Sequence, residues 1–483
     1  MAKHPQWALR HKRKGTEIRF INGSYYLYKI TSKWDPEKKR SKKISLGLLG
    51  KITEKDGFIE SEKHKLKQQQ KIQGNITVKE YGISFLITNK LINYVDLLKK
   101  HFPDKWKFIL ALSYCRFAYQ SPLKNCPYLF QKSYLSEDIK NAGLSSSMVS
   151  KKLKELGLER KQILNFFKEF KVENDSILFD GTDMFSQSKK MSYPHKSKTK
   201  KGTFDDIVNV MFVFSTKLMS PLYYRLLPGN IKDISSFKLC LNEAEVNDAT
   251  VIADKGFYSK KNIEQLDNEN IKYIIPLKRN SSLIDYKPVM TGDLKKFNGY
   301  FLYEKKIIWY YETEVSGKRL IIYKNDELKT QETKDYLTRC ETLPEMYNEK
   351  DFFKKQYQFG TISLLSNIDK NINAQEIYER YRTRHQIENM IDVFKNIFEA
   401  DKSYMQNDDA IEGWMFINFI VMHWYYQIIR MLQVLKLNNK YSPKDIILFL
   451  SNVKKVKINN KWYDSELTNN EKELFDKLKI PIV

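Results

Sequence analysis

Three acidic residues and one helical stripe are the parts of this sequence that could do chemistry. Asp180 closes the apolar run Ile177-Leu178-Phe179 and is followed by Gly181, while Asp254 closes Val251-Ile252-Ala253 and is followed by Lys255-Gly256. An apolar run that stops at an acid beside a glycine reads as a buried strand opening on a crevice, which is where α/β folds place their sites. The third acid, Glu388, lies in a helical stretch from Ala374 to Phe398. With Tyr381 as origin and about 100° per residue, Arg384 falls at about −60°, Glu388 at about −20° and Lys395 at about −40°. These four share one stripe, and Ile387, Met390, Ile391, Phe394 and Phe398 cluster on another side for burial. A carboxylate beside two cations and an aromatic ring suits a metal ion next to a phosphodiester; a solvated face with intrahelical ion pairs is the plainer reading of the same stripe. Three carboxylates from two strands and a helix can hold two Mg²⁺ ions about 3.5 to 4 Å apart for in-line displacement at phosphorus.

Neighbouring residues compete for these roles. Asp183 is an alternative to Asp180 but lies beyond the apolar run taken to define the strand, and Asp392 shares the stripe without the flanking arginine spacing. Asn230 and Asp233 suit loop organisation and helix capping better than metal binding. His385 and His423 read as packing or surface residues, since two-metal chemistry needs no histidine base. Between Gln187 and Thr203 lie six lysines and no acid, which is either a loop that grips a DNA backbone or a mobile charged loop.

The elements that would position these residues can be read from periodicity. Residues 1–60 form a basic β-rich module, with strand-like runs EIRFI, SYYLYKITSKW and KKISLGLLG and a hairpin signal at Asn22-Gly23. Its Tyr25, Tyr26, Tyr28 and Trp34 are interleaved with lysines, which suits either stacking on nucleic acid or a small core with solvated charges. A polar linker over 60–76 leads to a helical region, 76–170, expected to bind DNA. Within it LSEDIKNAGLSSSMVSKKLKELG has the layout of a helix-turn-helix whose second helix carries Lys151, Lys152 and Lys154, and it equally fits an ordinary helical hairpin. Segments 175–280 and 366–435 alternate strands and helices and predict a mixed α/β sheet. Residues 281–365 look like an inserted β-rich block, and 436–483 a helical tail.

Composition limits the function classes. The chain has 483 residues, 42% hydrophobic, enough for about three domains, and 83 Lys plus Arg against 58 Asp plus Glu, a net charge of +25. The first 50 residues hold thirteen basic residues and three acids. Charge so concentrated points to a polyanionic partner. Four cysteines without C-x-x-C spacing indicate neither a zinc module nor a disulfide framework, and a reducing cytoplasm is expected. No secretory signal is expected, and Trp414 to Leu432, interrupted by Asn418, His423, Gln427 and Arg430, reads as a buried helix, so no membrane partner is predicted.

The order Asp180, Asp254, then Glu388 within Tyr381, Arg384 and Lys395 resembles the DDE transposases of bacterial insertion sequences that carry a Tyr-Arg-Glu-Lys signature. LFDGT, PGN followed by Asp233, and VIADKGFYS support it, over about Ser176 to Leu432; TSKWDPEKKR and LGLLGKI are similar to the leading region of one branch. The resemblance implies a multi-domain α/β chain with an RNase H-like catalytic core interrupted by a β-rich insertion. It implies cut-and-paste transposition on two Mg²⁺ ions, with Mn²⁺ able to substitute, held by Asp180, Asp254 and Glu388. Tyr381, Arg384 and Lys395 would contact DNA beside the scissile phosphate, and Trp309 would receive a flipped base; a core Trp in a strand fits position 309 as well. The expected partners are double-stranded DNA, as terminal inverted repeats and target, and a second copy of the chain in the DNA complex, at the bacterial nucleoid. The rival readings are a catalytically silent DNA-binding descendant that represses transposition and a metal-dependent nuclease without strand transfer.

Overall fold

The computed structural model describes residues 4–35, 40–65, 76–199, 202–231, 233–245 and 249–481. Two compact units are present, Met1–Lys79 with Lys455–Ser465, and Glu80–Lys454 with Glu466–Val483.

In the first unit, strands Thr16–Ile21, Ser24–Asp35, Arg40–Thr53 and Gly57–Glu60 form an antiparallel sheet in chain order. Asn22 and Gly23 both have positive φ, 49° and 75°, as the two-residue hairpin turn read from the sequence requires. Ala8, Ile18, Leu27 and Ile52 make the core, and Trp7, Tyr25, Leu49 and Phe58 pack on it. A second sheet joins Thr77–Glu80, Lys454–Ile458 and Lys461–Asp464. The tail expected to be helical therefore contains a hairpin between its helices Pro443–Asn452 and Asn469–Lys477. Its turn is Asn459-Asn460, with φ of 50° and 65°. Asparagine tolerates that conformation, and this turn signal was missed. Of the proposed linker, residues 66–75 lie outside the described residues.

In the second unit, helices Ile92–His101, Trp106–Tyr119, Ser146–Gly157 and Arg160–Lys168 pack with the long helix Asp408–Val434. The Trp414–Leu432 run is buried as expected as far as Tyr426, with Asn418 and His423 inside the core, and Arg430 is exposed near its end. No described helix is long and apolar enough to cross a membrane. The helix-turn-helix layout does not form. Leu135–Asp138 is a single turn, and Asn141 and Gly143, both at positive φ, carry the chain away before Ser146. The helix Ser146–Gly157 buries Val149, Leu153 and Leu156 and crosses Asp408–Val434 at two glycines. A Cβ on Gly157 would overlap the carbonyl oxygen of Asp409, and one on Gly413 that of Leu153.

The central sheet is mixed, as predicted. Its first three core strands, Ser176–Ser186, Phe204–Ser215 and Ser220–Pro228, are an antiparallel meander, with the short strand His195–Lys198 pairing with the start of the second; the fourth core strand, Thr250–Ala253, and the fifth, Lys272–Pro276, run parallel to the first on its other side. The spatial order is third, second, first, fourth, fifth. The block 281–365 is no separate layer. Thr361–Ser366 pairs antiparallel with the fifth strand, and Lys318–Asn325, Lys306–Val315 and Gly299–Tyr303 continue the same sheet outward.

His423 sits in the long helix, fully buried, its Nδ1 within 3.3 Å of the Tyr94 hydroxyl and 3.1 Å of the Ser220 hydroxyl. Burial lowers its pKa from 6.5 to about 3, against a smaller opposing effect of a backbone hydrogen bond at Pro221. The folded value lies below the unfolded one, so this histidine's contribution to stability is complete above about pH 6.5. It is lost at about 1.4 kcal/mol per unit as pH falls toward 3. Urea unfolding between pH 4 and 7 should show this slope, and His423→Asn should lower it by about one proton.

Candidate active site

The strand register brings the first two acids together. The first and fourth core strands are parallel, with Ala253 opposite Phe179, so Asp254 stands level with Asp180 on the neighbouring strand. Adjacent strands lie about 4.8 Å apart. Asp254 follows the last residue of its strand, as read from the sequence. Asp180 does not end its strand, which runs on to Ser186 and also contains Asp183. Strand limits therefore do not separate the two acids; their partners do. Asp183 is buried and accepts a 2.8 Å ion pair from Lys395 Nζ, whereas Asp180 Oδ2 lies 3.7 Å from Arg384 Nη1.

The third acid arrives on a helix that departs from the uniform geometry assumed for it. Ala374–Arg382 is α-helical, a tight turn at Thr383-Arg384 follows, and His385–Asp392 resumes the helix before a π-type turn over Val393–Ile397. In the tight turn the amides of Arg384, Gln386 and Ile387 bond to carbonyls three residues back. In the π turn the Phe398 amide bonds to Val393, five residues back. Ile387, Met390, Phe394 and Phe398 are buried, and Phe394 meets Phe212 of the second core strand edge to face. That burial anchors Arg384 and Glu388 over the sheet. A π turn adds a residue to its turn, so 100° per residue does not carry the stripe through to Lys395. Lys395 reaches Asp183 instead.

One guanidinium gathers all three proposed acids. Arg384 Nη2 lies 2.6 Å from Glu388 Oε1 and 3.5 Å from Asp254 Oδ1, and Nη1 is the neighbour of Asp180. Burial works against the charge of Arg384, but Asp254, Tyr381, Glu388 and Asp180 outweigh it and raise its pKa above the ordinary value. Burial likewise raises the Tyr381 phenol. Arg384 Nη1 is buried and, among the described residues, has no hydrogen-bond acceptor. A buried N–H without an acceptor costs about 1 to 3 kcal/mol, and an anionic oxygen would relieve it. As arranged here, no three His, Cys, Asp or Glu side chains among the described residues are close enough to hold a metal ion.

A cleft of about 730 Å³ opens beside this cluster, with Asp254, Tyr381 and Arg384 in its wall. Lys255, Lys278 and Arg279 also line it and were missed by the sequence reading, although Lys255 directly follows Asp254. Arg279 is tied to Glu332 at 2.9 Å, which leaves Lys255 and Lys278 as the cleft's new cationic contributors. Trp309 does not line the cleft. It is half-buried in the sheet extension, 5.2 Å from the Tyr300 ring and 6.3 Å from Phe297. His385 donates from Nδ1 to the Arg382 carbonyl, 2.7 Å away, and takes no part in the cluster.

A mixed sheet that presents two carboxylates on neighbouring strands and a third on a helix, around one arginine, defines a candidate phosphoryl-transfer site. The family described as transposase DDE domain matches residues 173–424, more than half of the chain, and the protein belongs to that family. Its enzyme class is accordingly that of a transposase. Among solved structures, the chain is similar to a piggyBac transposase in a synaptic complex with hairpin DNA, determined by cryo-EM. That similarity has 10% identity and a TM-score of 0.41 over 71% of this chain and 69% of the other. No match was found among curated protein sequences.

Proposed function

We propose that this transposase cuts DNA at the ends of a mobile element and joins the freed ends to target DNA from an RNase H-like core. Asp180, Asp254 and Glu388 would hold two Mg²⁺ ions, for which Mn²⁺ could substitute, once the ions replace Arg384 in drawing the three carboxylates together. The observation that carries this reading is the shared guanidinium, since Arg384 touches carboxylates 74 and 134 positions apart in the chain. Three carboxylates offer only hard oxygen donors, the type these cations take. Bound divalent ions would supply an activated water and offset charge at phosphorus.

The chain's own residues do the positioning. Arg384 Nη1 offers its unsatisfied N–H to a non-bridging phosphate oxygen, and Tyr381, half-buried beside it in the cleft wall, holds the guanidinium in place. Lys395 holds Asp183, on the same strand as Asp180, and would turn to the DNA backbone when DNA is bound. In the first step water oxygen bonds to phosphorus, the bond to the 3′ oxygen breaks and that oxygen leaves as a hydroxyl. In the second, that hydroxyl attacks a target phosphodiester, one phosphorus–oxygen bond forming as another breaks. No external energy source is needed. Joining two ends at once calls for two copies of the chain.

The test is incubation of the purified protein with the DNA that flanks its own reading frame, with Mg²⁺ and then Mn²⁺. Cleavage at fixed positions, followed by joining to a second duplex, is expected; no metal-dependent cleavage would overturn the reading, and cleavage without joining would leave a nuclease. Arg384→Ala should weaken binding to that DNA and reduce the slope of log K against log salt by about 1, as expected for one lost phosphate contact. Filter binding at several salt concentrations reads both quantities.

A further inference from the structure

Strands Ser24–Asp35 and Arg40–Thr53 are much longer than the sheet that contains them. Thr16–Ile21 covers only residues 24 to 29 of the first, and Gly57–Glu60 only residues 50 to 53 of the second. Beyond Ile30, whose amide still bonds to the Gly15 carbonyl, the two strands pair with each other, from Thr31 opposite Ile44 to Asp35 opposite Arg40. They form a two-stranded ribbon that leaves the sheet. At its base the register steps over Leu49 and again over Leu46. Such bulges bend and twist a strand, and they turn the ribbon away from the sheet it grew from.

Among the described residues, only one cross-strand pair of the ribbon matches opposite charges, Asp35 with Arg40. Lys33 stands directly opposite Lys42, and like charges in that position repel. Lys42, Lys43 and Arg40 are exposed; Lys43 has an ion pair to Glu17 at 3.6 Å yet stays 71% exposed. Trp34, on the face shared with Lys43, is 62% exposed. Lys33, Lys42 and Arg40 lie on the opposite face, so the ribbon exposes cations on both faces and a ring on one; a polyanion removes the repulsion and covers the ring. A ribbon two strands wide is about 5 Å across its backbone, and with side chains it fills a B-DNA major groove about 12 Å wide. A strand edge of another protein would not neutralise the lysine pair.

We infer that this ribbon is a DNA-reading arm that enters the major groove of duplex DNA, with Lys33, Arg40, Lys42 and Lys43 on phosphates and Trp34 against the groove wall. This rests on the reading of the chain as an enzyme that acts on DNA, and it assigns a second contact surface outside the catalytic unit.

The experiment uses the full chain and duplex DNA carrying the flanks of its reading frame. Binding is followed against salt for the natural protein, for Lys33→Ala, for Trp34→Ala and for the quadruple alanine variant of the four cations. Loss of four phosphate contacts should lower the salt slope by about 3 to 4 and affinity by at least about tenfold; Lys33→Ala should lower the slope by about 1. Melting temperatures should not fall, because all of these positions lie outside the module's core and the alanines relieve the Lys33–Lys42 repulsion. Dimethyl sulfate methylates guanine N7 in the major groove and adenine N3 in the minor groove. The natural protein should protect guanine N7 at positions the quadruple variant leaves open. Unchanged affinity and slope in the variants, or protection confined to adenine N3, would overturn the arm while leaving the catalytic reading intact. If the natural protein binds no duplex, both fall.

Discussion

Asp180→Asn, Asp254→Asn and Glu388→Gln are each expected to reduce metal-dependent DNA cleavage by at least about a thousandfold, roughly 4 kcal/mol in transition-state stabilisation. Folding should survive. Asp180 Oδ1 accepts the Gly181 amide at 2.8 Å, and asparagine keeps that acceptor. Three carboxylates share one guanidinium, so each amide also removes a repulsion between like charges. In the absence of divalent ions the melting temperature of each variant should therefore equal or exceed that of the natural protein. Added Mg²⁺ or Mn²⁺ should raise the melting temperature of the natural protein, by linkage, and raise that of the variants less. Single-turnover cleavage and thermal melting with and without the ions separate the outcomes. Full cleavage in any variant would remove that residue from the site.

The largest effect on stability is expected far from the chemistry. Gly413 faces the carbonyl oxygen of Leu153, and Gly157 that of Asp409, so both ends of one helix crossing are in backbone contact. No rotamer change can relieve a clash with a carbonyl oxygen. Gly413→Val should force the helices apart and cost about 3 kcal/mol or more, towards the upper end of what overpacking does. Gly256→Ala is the control, because a Cβ there meets nothing within 4 Å, and it should stay within about 0.5 kcal/mol. Urea denaturation measures both. A Gly413→Val protein as stable as the natural one would mean that the crossing is not held this closely in solution.

The proposed site and the proposed arm make separable demands on DNA. Arg384 offers a single buried N–H close to the acids, where a contact affects cleavage as well as binding. The ribbon offers several exposed cations in the other unit, where contacts affect binding and its salt dependence. Variants of the arm should therefore lower affinity with little change in the rate of cleavage at saturating protein, and amide variants of the acids should do the reverse.

Local pattern in the sequence determined a good deal. Period-two alternation marked the N-terminal strands, Asn22-Gly23 marked the turn between the first two, and a largely apolar run marked the buried helix Asp408–Val434. Apolar runs ending in acids singled out Asp180 and Asp254, and the ion pair between Arg384 and Glu388 is the intrahelical contact that the plainer reading of the stripe allowed. These features depend on neighbours a few residues away, and such neighbours are written next to one another in the chain.

Only the tertiary structure decided the rest. That Asp254 stands level with Asp180 follows from the register of two strands separated by about seventy residues, which no local spacing encodes. That Lys395 leaves the stripe for Asp183 follows from a π turn, set where Phe394 and Phe398 must be buried against the sheet and the long helix. The block 281–365 extends the central sheet because Thr361–Ser366 finds the open edge of Lys272–Pro276, a pairing chosen among strands and not within one. Hydrophobic periodicity says which side of an element is buried; what it is buried against, and so which charged groups meet, is settled only when the elements pack together.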